Sequence, residues 1–253
     1  MKWNVEIYEQ FKNERLQPTL DLIGRIPQGN YKRIIDVGCG SGMSTLPLQE
    51  VFGDAAIYGI DSSKEMLEKA KESSNKITWI QRDCSQSLSD LGTFDLIFSN
   101  AFLQWLSDQE TFIAQVKTLL NENGVFALQV PNYDGMAIKA CIDQVVSQFG
   151  KNFERAEQGM CHNFTLPEYY DMLGHYFENV TIWQTNYVHI MSSYEEIVQF
   201  MSGTGLRPYF EELTEEEQKQ FIHMLIEELR KIYPVQENGK ILFVFKRIEW
   251  IAR

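Results

Sequence analysis

Cationic side chains are in short supply in this chain: 23 Lys and Arg stand against 35 Asp and Glu, a formal net charge of -12 with His neutral. That deficit opposes a general affinity for nucleic-acid phosphates, which needs clustered Lys and Arg to displace counterions, so no nucleic-acid partner is expected. Cysteine is scarce too. Cys39, Cys84, Cys141 and Cys161 are far apart and lack the paired spacing of zinc ligands, and His162, His175 and His223 form no metal-binding pattern. Reduced thiols and no metal are the expectation. No apolar run approaches the ~20 residues that span a bilayer, and Met1-Lys2-Trp3-Asn4 does not open a signal peptide. We therefore expect a cytoplasmic protein with no membrane partner. Internal repeats, low-complexity segments and linkers are also missing, which predicts one domain in the 253 residues.

A further absence sharpens the chemistry of the most informative stretch, Ile34-Ile35-Asp36-Val37-Gly38-Cys39-Gly40-Ser41-Gly42. An apolar strand that breaks into alternating glycines lets the backbone approach a ligand closely. The dinucleotide fingerprint Gly-x-Gly-x-x-Gly is not met, because Met43 sits where its third glycine would fall. Asp61, at the end of the next apolar run, is placed to accept hydrogen bonds from ribose hydroxyls with both carboxylate oxygens. A nucleoside cofactor follows, though not a nicotinamide dinucleotide.

From residue 33 to 130 short apolar runs alternate with amphipathic segments, the signature of a parallel sheet covered on both faces. The predicted strands are Arg33–Val37, Ala55–Ile60, Ile77–Arg82, Phe94–Ser99 and Gly124–Val130. Ser62-Ser63-Lys64-Glu65 and Ser107-Asp108-Gln109-Glu110 read as capping boxes that start helices. Gly38, Asp61, Asp83 and Asn100 then converge at the carboxyl ends of the strands, where such sheets bind ligands. Beyond Pro131 the pattern turns helical over roughly 132–176, followed by a strand at Val180–Tyr187 and a helix starting near Ser193. Another helix runs from Thr214 to Tyr233, with Thr214 and Glu217 as its capping box. Within Lys240–Arg253 the run Ile241-Leu242-Phe243-Val244-Phe245 reads as a last buried strand after the turn pair Asn238-Gly239, expected to pair as a hairpin beside the last core strands. The organisation expected is an N-terminal lid of helices (1–30), a cofactor-binding core (31–131), an inserted helical cap (132–176) and closing helices and strands (177–253).

The glycine turn between Asp36 and Asp61 resembles the motif of class I S-adenosylmethionine-dependent methyltransferases. More of the chain resembles one family among them, the trans-aconitate 2-methyltransferases: Trp3-Asn4, Tyr8, Phe11, Arg15 and Pro18; Ser44-Thr45; Gly59-Ile60-Asp61-Ser62; Asn100-Ala101-Phe102-Leu103-Gln104-Trp105; Gln129-Val130-Pro131; and Gly203-Thr204-Gly205-Leu206-Arg207-Pro208-Tyr209. The resemblance implies an α/β, Rossmann-like fold with a central, mostly parallel seven-stranded sheet, helices on both faces and the helical cap as an insertion. It implies S-adenosyl-L-methionine as cofactor, held by Asp36, Gly38, Cys39, Gly40, Asp61, Ser62, Asp83, Cys84 and Asn100, with Asp83-Cys84 at the adenine and Asn100 near the methionine part. The reaction implied is methyl-ester formation on a carboxylate of a small di- or tricarboxylic acid.

Substrate contacts are expected from Tyr8, Phe11, Arg15, Trp105, Tyr187, Arg207 and Tyr209. Arg207 would anchor a carboxylate bidentately from a loop stiffened by Pro208, and Tyr8, Phe11 and Arg15 would share a helix face of the lid over the cofactor. His189 reads as a structural histidine. No catalytic residue is assigned, since a carboxylate acceptor is already ionised at neutral pH and Cys39 and Cys84 have no activating His nearby in sequence. Asn132-Tyr133-Asp134-Gly135 and Cys161-His162-Asn163-Phe164 depart from the family's pattern. Ser99-Asn100 and Gln104-Trp105 also resemble the malonyl-acyl-carrier-protein methyltransferases, which makes an acyl carrier protein the alternative partner.

Overall fold

A computed structural model of the chain describes residues 11–153, 156 and 163–253. Five strands, β1 (Arg33–Val37), β2 (Ala56–Asp61), β3 (Thr78–Gln81), β4 (Phe94–Asn100) and β5 (Leu120–Pro131), form parallel pairs. With β6 (Val180–Met191) and β7 (Ile241–Ala252) they make one seven-stranded sheet of order β3-β2-β1-β4-β5-β7-β6. The first five agree with the sequence expectation to within a few residues. The last two are longer than expected, and β7 takes its place beside the last core strands, between β5 and β6. The hairpin that Asn238-Gly239 does make is small: Gly239 has a φ of 77°, its N–H donates to the Gln236 carbonyl at 2.9 Å, and Val235 bridges Ile241.

β1 and β4 are nearly continuous apolar runs because both faces are covered; Ile34, Ile35, Leu96, Ile97 and Phe98 are buried. Register then decides where function can sit. Val37 pairs with Ile60, Asp61 with Gln81 and Asn100 with Gln129, so the carboxyl ends of β1, β2 and β4 finish near one level. The order reverses between β1 and β4, the switch point at which such sheets open a crevice.

Helices α1 (Lys12–Arg25), α2 (Thr45–Val51), α3 (Lys64–Ser73), α4 (Gln109–Leu119), α5 (Ala137–Gln148), α6 (Leu166–Gly174), α7 (Tyr194–Ser202), α8 (Arg207–Glu212) and α9 (Glu215–Ile232) complete the described elements. Their starts carry the expected chemistry, with one correction. The caps of α3 and α4 are single hydrogen bonds, Met66 N–H to Ser63 Oγ and Thr111 N–H to Asp108 Oδ1, whereas reciprocal capping boxes form at Thr165/Glu168 and Thr214/Glu217.

The described residues divide into two compact units. The sheet unit comprises Arg15–Pro131, Phe164–Thr185 and Ile248–Arg253. The helical unit comprises the residues up to Glu14, Asn132–Asn163 and Asn186–Arg247. The expected cap boundary near residue 176 is therefore corrected. Tyr169, Leu173 and Phe177, on and just beyond α6, are buried in the same cluster as Phe126 and Trp250, so the chain returns to the sheet core by Phe164. The helical unit is built round aromatic rings. Phe221 of α9 meets Phe149, Phe153, Tyr209 and Phe210 with ring centroids 5.5 to 6.1 Å apart. No described helix is long and apolar enough to cross a membrane.

Candidate active site

The turn after β1 is shaped by glycine stereochemistry. Gly38 has a φ of 73° and would place a Cβ 2.2 Å from Phe102 Cγ, so neither the backbone angle nor the space tolerates a side chain. Gly40, with a φ of 55°, is the opposite case: a Cβ there would meet nothing within 4 Å, which marks it as the open point of the turn. The turn is tied down by its neighbour strand. Gly38 and Cys39 N–H groups both donate to the Ile60 carbonyl, at 2.9 and 3.0 Å.

Asp61 finishes that neighbour strand and serves the turn directly. Its Oδ2 accepts the Gly40 N–H at 2.9 Å and its Oδ1 accepts the Ser63 N–H at 2.8 Å. A carboxylate offers about four lone-pair sites, so two remain for a ligand's hydroxyl groups. Asp36, one residue from the end of β1, is fully buried. Ser44 Oγ and Thr45 Oγ1 donate to its Oδ2 at 2.6 and 2.7 Å, while among the described residues Oδ1 receives no donor. Burial pushes its carboxyl up to about 6, against the two hydroxyl donors and with a smaller upward push from the charge of Asp61. An open acceptor oxygen on a buried acid is costly unless something donates to it.

The third and fourth strand ends supply the rest. Asp83 is exposed, and its Oδ1 accepts both the Ser85 hydroxyl and the Ser85 N–H, which hold its carboxyl below the usual carboxylate range. Cys84 is buried, and desolvation pushes its thiol up to about 12; desolvation also raises Cys39. Neither thiol is a thiolate at neutral pH, so neither is a nucleophile there. Ser62 is exposed beside Asp61. Asn100 ends β4 with its Oδ1 accepting from Gln129 Nε2. Ala101 follows in a left-handed conformation, φ 54°, unusual for a residue with a Cβ, and its N–H and carbonyl bond to Gln129 and Gln104.

The structure thus gathers Asp36, Gly38, Cys39, Gly40, Asp61 and Cys84 at the glycine turn, with Ser62, Asp83 and Asn100 on the adjoining strand ends. The residue types fit an adenosyl cofactor bearing positive charge: Asp61 has acceptor sites for a ribose, and the open oxygen of Asp36 is a buried acceptor for a cationic N–H. Ser44, Thr45, Phe102 and Gln129 shape this site without having been assigned roles from the sequence. Their signals were there, in two hydroxyl residues opening α2 directly behind the turn and an amide interrupting the apolar run Val125–Val130. Among the described residues no group of three or more His, Cys, Asp and Glu could hold a metal ion.

The residues expected to contact substrate fare differently. Tyr8 lies outside the described residues. Phe11 is 3% exposed and packs edge-to-face on Phe200 at 5.2 Å, and Tyr209 is buried against Phe153 and Phe221, so both rings pack within the aromatic core of the helical unit. Arg207 opens α8 rather than standing in a loop, with Pro208 in the first turn and its Nε donating to Glu211 Oε1 at 3.0 Å. Tyr187 is half-buried on β6, next but one to His189, whose ring lies 5.0 Å from that of Phe200 as a structural histidine would. Arg15 is half-buried on α1, and Trp105 is 44% exposed at the end of the short 3-10 turn Leu103–Trp105.

Comparison with known proteins shows the family. Residues 34–124 match the family model described as a methyltransferase domain. The chain is 35% identical over 252 residues to the trans-aconitate 2-methyltransferase of Escherichia coli (strain ATCC 8739), covering 99% of this chain and 98% of that one. The enzyme of that name from Enterobacter sp. (strain 638) is 36% identical over 251 residues, with the same coverage. Among solved structures, the plantazolicin methyltransferase BpumL in complex with SAH is similar with a TM-score of 0.52 at 16% identity, over 98% of this chain and 84% of that one, a likeness of fold.

Proposed function

Since the chain belongs to the trans-aconitate 2-methyltransferase family, we propose that it uses S-adenosyl-L-methionine to form a methyl ester on a carboxylate of a small di- or tricarboxylic acid such as trans-aconitate. The observation that carries this reading is the glycine turn tied to Asp61, within a chain that matches relatives of that name along its whole length.

S-adenosylmethionine, when bound, supplies a methyl group already activated on a sulfonium. Asp61 would hold the ribose hydroxyls with its two remaining acceptor sites, and Asp36 would offer Oδ1 to a cationic N–H donor. Asp83 and Cys84 would lie at the adenine. A carboxylic acid has a reference pKa near 4 and arrives ionised at neutral pH, so the chain has no proton to remove and needs no general base. The buried thiols are consistent with that, because neither supplies a base or a nucleophile. What remains is to align acceptor and donor at about 3 Å and to keep water out. Arg207 is the residue proposed to grip a substrate carboxylate; its guanidinium suits that planar group, and the Glu211 contact restrains its side chain. Trp105 presents an accessible ring and Tyr187 and Arg15 half-buried polar groups, and these three are proposed as further substrate contacts.

Incubation with methyl-labelled cofactor and a panel of trans-aconitate, other di- and tricarboxylates and malonyl-acyl carrier protein tests the proposal. Base-labile label on a free acid is expected. Label found only on the carrier protein, or only on nitrogen or phenol acceptors, overturns it.

A further inference from the structure

Two glycines near the turn are missing side chains for one and the same reason. Gly59 lies inside β2, where a glycine weakens a strand and commonly marks the close approach of another group. Trp79 of β3 stands opposite it in the register, and a Cβ on Gly59 would fall 2.4 Å from Trp79 Cζ3 and 3.1 Å from Cys39 Sγ. Gly42, the third glycine of the turn, meets the same ring. Its φ is 86°, and a Cβ there would fall 2.8 Å from Trp79 Cη2. The indole therefore fills the space that both residues leave.

The ring is held from its far side by α3. Its Nε1–H donates to the carbonyl of Ser74, the residue that caps the end of that helix, at 3.1 Å, and Ala70 of the same helix would lie 3.5 Å from a Cβ on Gly42. What Gly42 touches in turn leads into the cofactor site. Its N–H donates to the Cys39 carbonyl at 2.9 Å, and its own carbonyl accepts the Thr45 and Leu46 N–H groups at 3.1 and 3.0 Å. The Thr45 hydroxyl then donates to Asp36. A half-buried ring on the edge strand is thus connected to the buried acid and to the turn.

We propose that Trp79 is a positioning residue of the cofactor site, a rigid strut whose indole fixes where the glycine turn lies over the strand ends. The proposal rests on reading that turn as the S-adenosylmethionine site and adds a residue that acts on it through Gly42 and Gly59. Gly38, Gly40 and Gly42 all have positive φ, so the turn has little side-chain packing of its own to hold it. A supporting shell must do so, because a displacement of ~1 Å can cost on the order of 100-fold in function.

Hydrogen exchange of the cofactor-free chain reads the strut without any ligand. Trp79→Ala should speed exchange of the Gly40 and Gly42 amides at least ~10-fold while the α9 amides exchange as before, a local loosening that general destabilisation does not produce. Trp79→Phe keeps a ring beside Gly59 but is too short to replace Cη2 under Gly42, and should fall between the two. Calorimetry with S-adenosylhomocysteine supplies the functional reading, with stoichiometry reporting the folded fraction separately from affinity. Trp79→Ala and Gly59→Ala should each weaken binding at least ~10-fold, the second because its methyl displaces the ring. Combined, they should bind no more weakly than Trp79→Ala alone, since the clash goes with the indole. Turn amides unmoved in both Trp79 variants, or losses of affinity that multiply in the double variant, overturn the proposal. Absence of binding by the unmodified chain would instead count against the cofactor reading, and the exchange rates would still decide the strut.

Discussion

The two units bury different kinds of chemistry. In the sheet unit, polar groups are buried at or near the strand ends: Asp36 with Ser44 and Thr45, Ser99 donating to the Val37 carbonyl at 2.8 Å, and Gln104 and Gln129 around the loop after β4. The helical unit gathers rings instead, Phe149, Phe153, Tyr209, Phe210 and Phe221 at one end and Phe11, Phe200, Phe243 and Phe245 at another. Burying an acid with one open oxygen is costly and burying a ring is favourable, so the first arrangement is intelligible where a ligand compensates it and the second wherever a core is needed. Buried polar groups cluster around the glycine turn, although Thr19, Gln109, His189, Arg247 and Glu249 are buried elsewhere.

That contrast is most easily broken in the aromatic cluster. Phe221→Ala removes a fully buried ring that touches four others and should cost about 3–5 kcal/mol in urea unfolding, the range for large-to-small aromatic changes. A cost below about 1 kcal/mol would show that the cluster is loosely packed and the contrast overdrawn.

Asp36 tests the other side. Its carboxyl lies near 6 in the folded chain against about 4 when unfolded, so between those values the folded state binds more protons and stability falls as pH rises. The loss, on the order of 2–3 kcal/mol at ~1.4 kcal/mol per pH unit, is complete just above pH 6. Asp36→Asn should flatten this part of the stability curve of the cofactor-free protein while weakening binding of S-adenosylhomocysteine. A wild-type curve that rises steadily from pH 4 to 7, with no difference from the Asn variant, contradicts the buried-acid account.

Asp61→Ala removes a carboxylate that both tethers Gly40 and is proposed to receive the ribose. Cofactor affinity should fall by about 1.5–3 kcal/mol, the range for hydrogen bonds to charged groups, or roughly 10- to 150-fold. Calorimetry with S-adenosylhomocysteine reads it directly. Unchanged affinity would leave Asp61 as a tether of the turn alone.

The same contrast explains what the sequence could disclose. β1, β2 and β4 were legible because apolar runs in a doubly covered sheet are local signals, and Asp61 was legible because it ends one of them one strand from the glycine turn. The partners of Asp36 were not. Ser44 and Thr45 look like ordinary helix-opening residues until the fold brings an acid from eight and nine residues earlier beneath them. The burial of Phe11 and Tyr209 was not legible for a related reason: an aromatic side chain looks the same in a core and in a pocket wall, and only tertiary packing shows how it is surrounded. Helical periodicity likewise carried no information on which core α6 joins, so the boundary near residue 176 was set by composition rather than by contact. β6 was underestimated because its outer half alternates instead of running apolar throughout, and β7 because Lys246, Arg247 and Glu249 interrupt the apolar run although Arg247 to Ala252 are buried.

The smallest effect should be found at the start of α9, where Thr214 and Glu217 cap one another: the Glu217 N–H donates to Thr214 Oγ1 at 3.3 Å, and the Thr214 N–H donates to Glu217 Oε2 at 2.8 Å. Lys151 reaches the same glutamate at 3.1 Å and donates to the Glu212 carbonyl at 2.6 Å, so the helix start is also fastened across the helical unit. Thr214→Ala removes one of these hydrogen bonds and leaves the Lys151 contacts in place. The expected cost is about 1 kcal/mol of stability, the usual loss of a threonine cap, with affinity for S-adenosylhomocysteine unchanged. A matching loss of affinity would mean that the ring-built unit transmits strain to the glycine turn, and the division of labour between the units would then have to be abandoned.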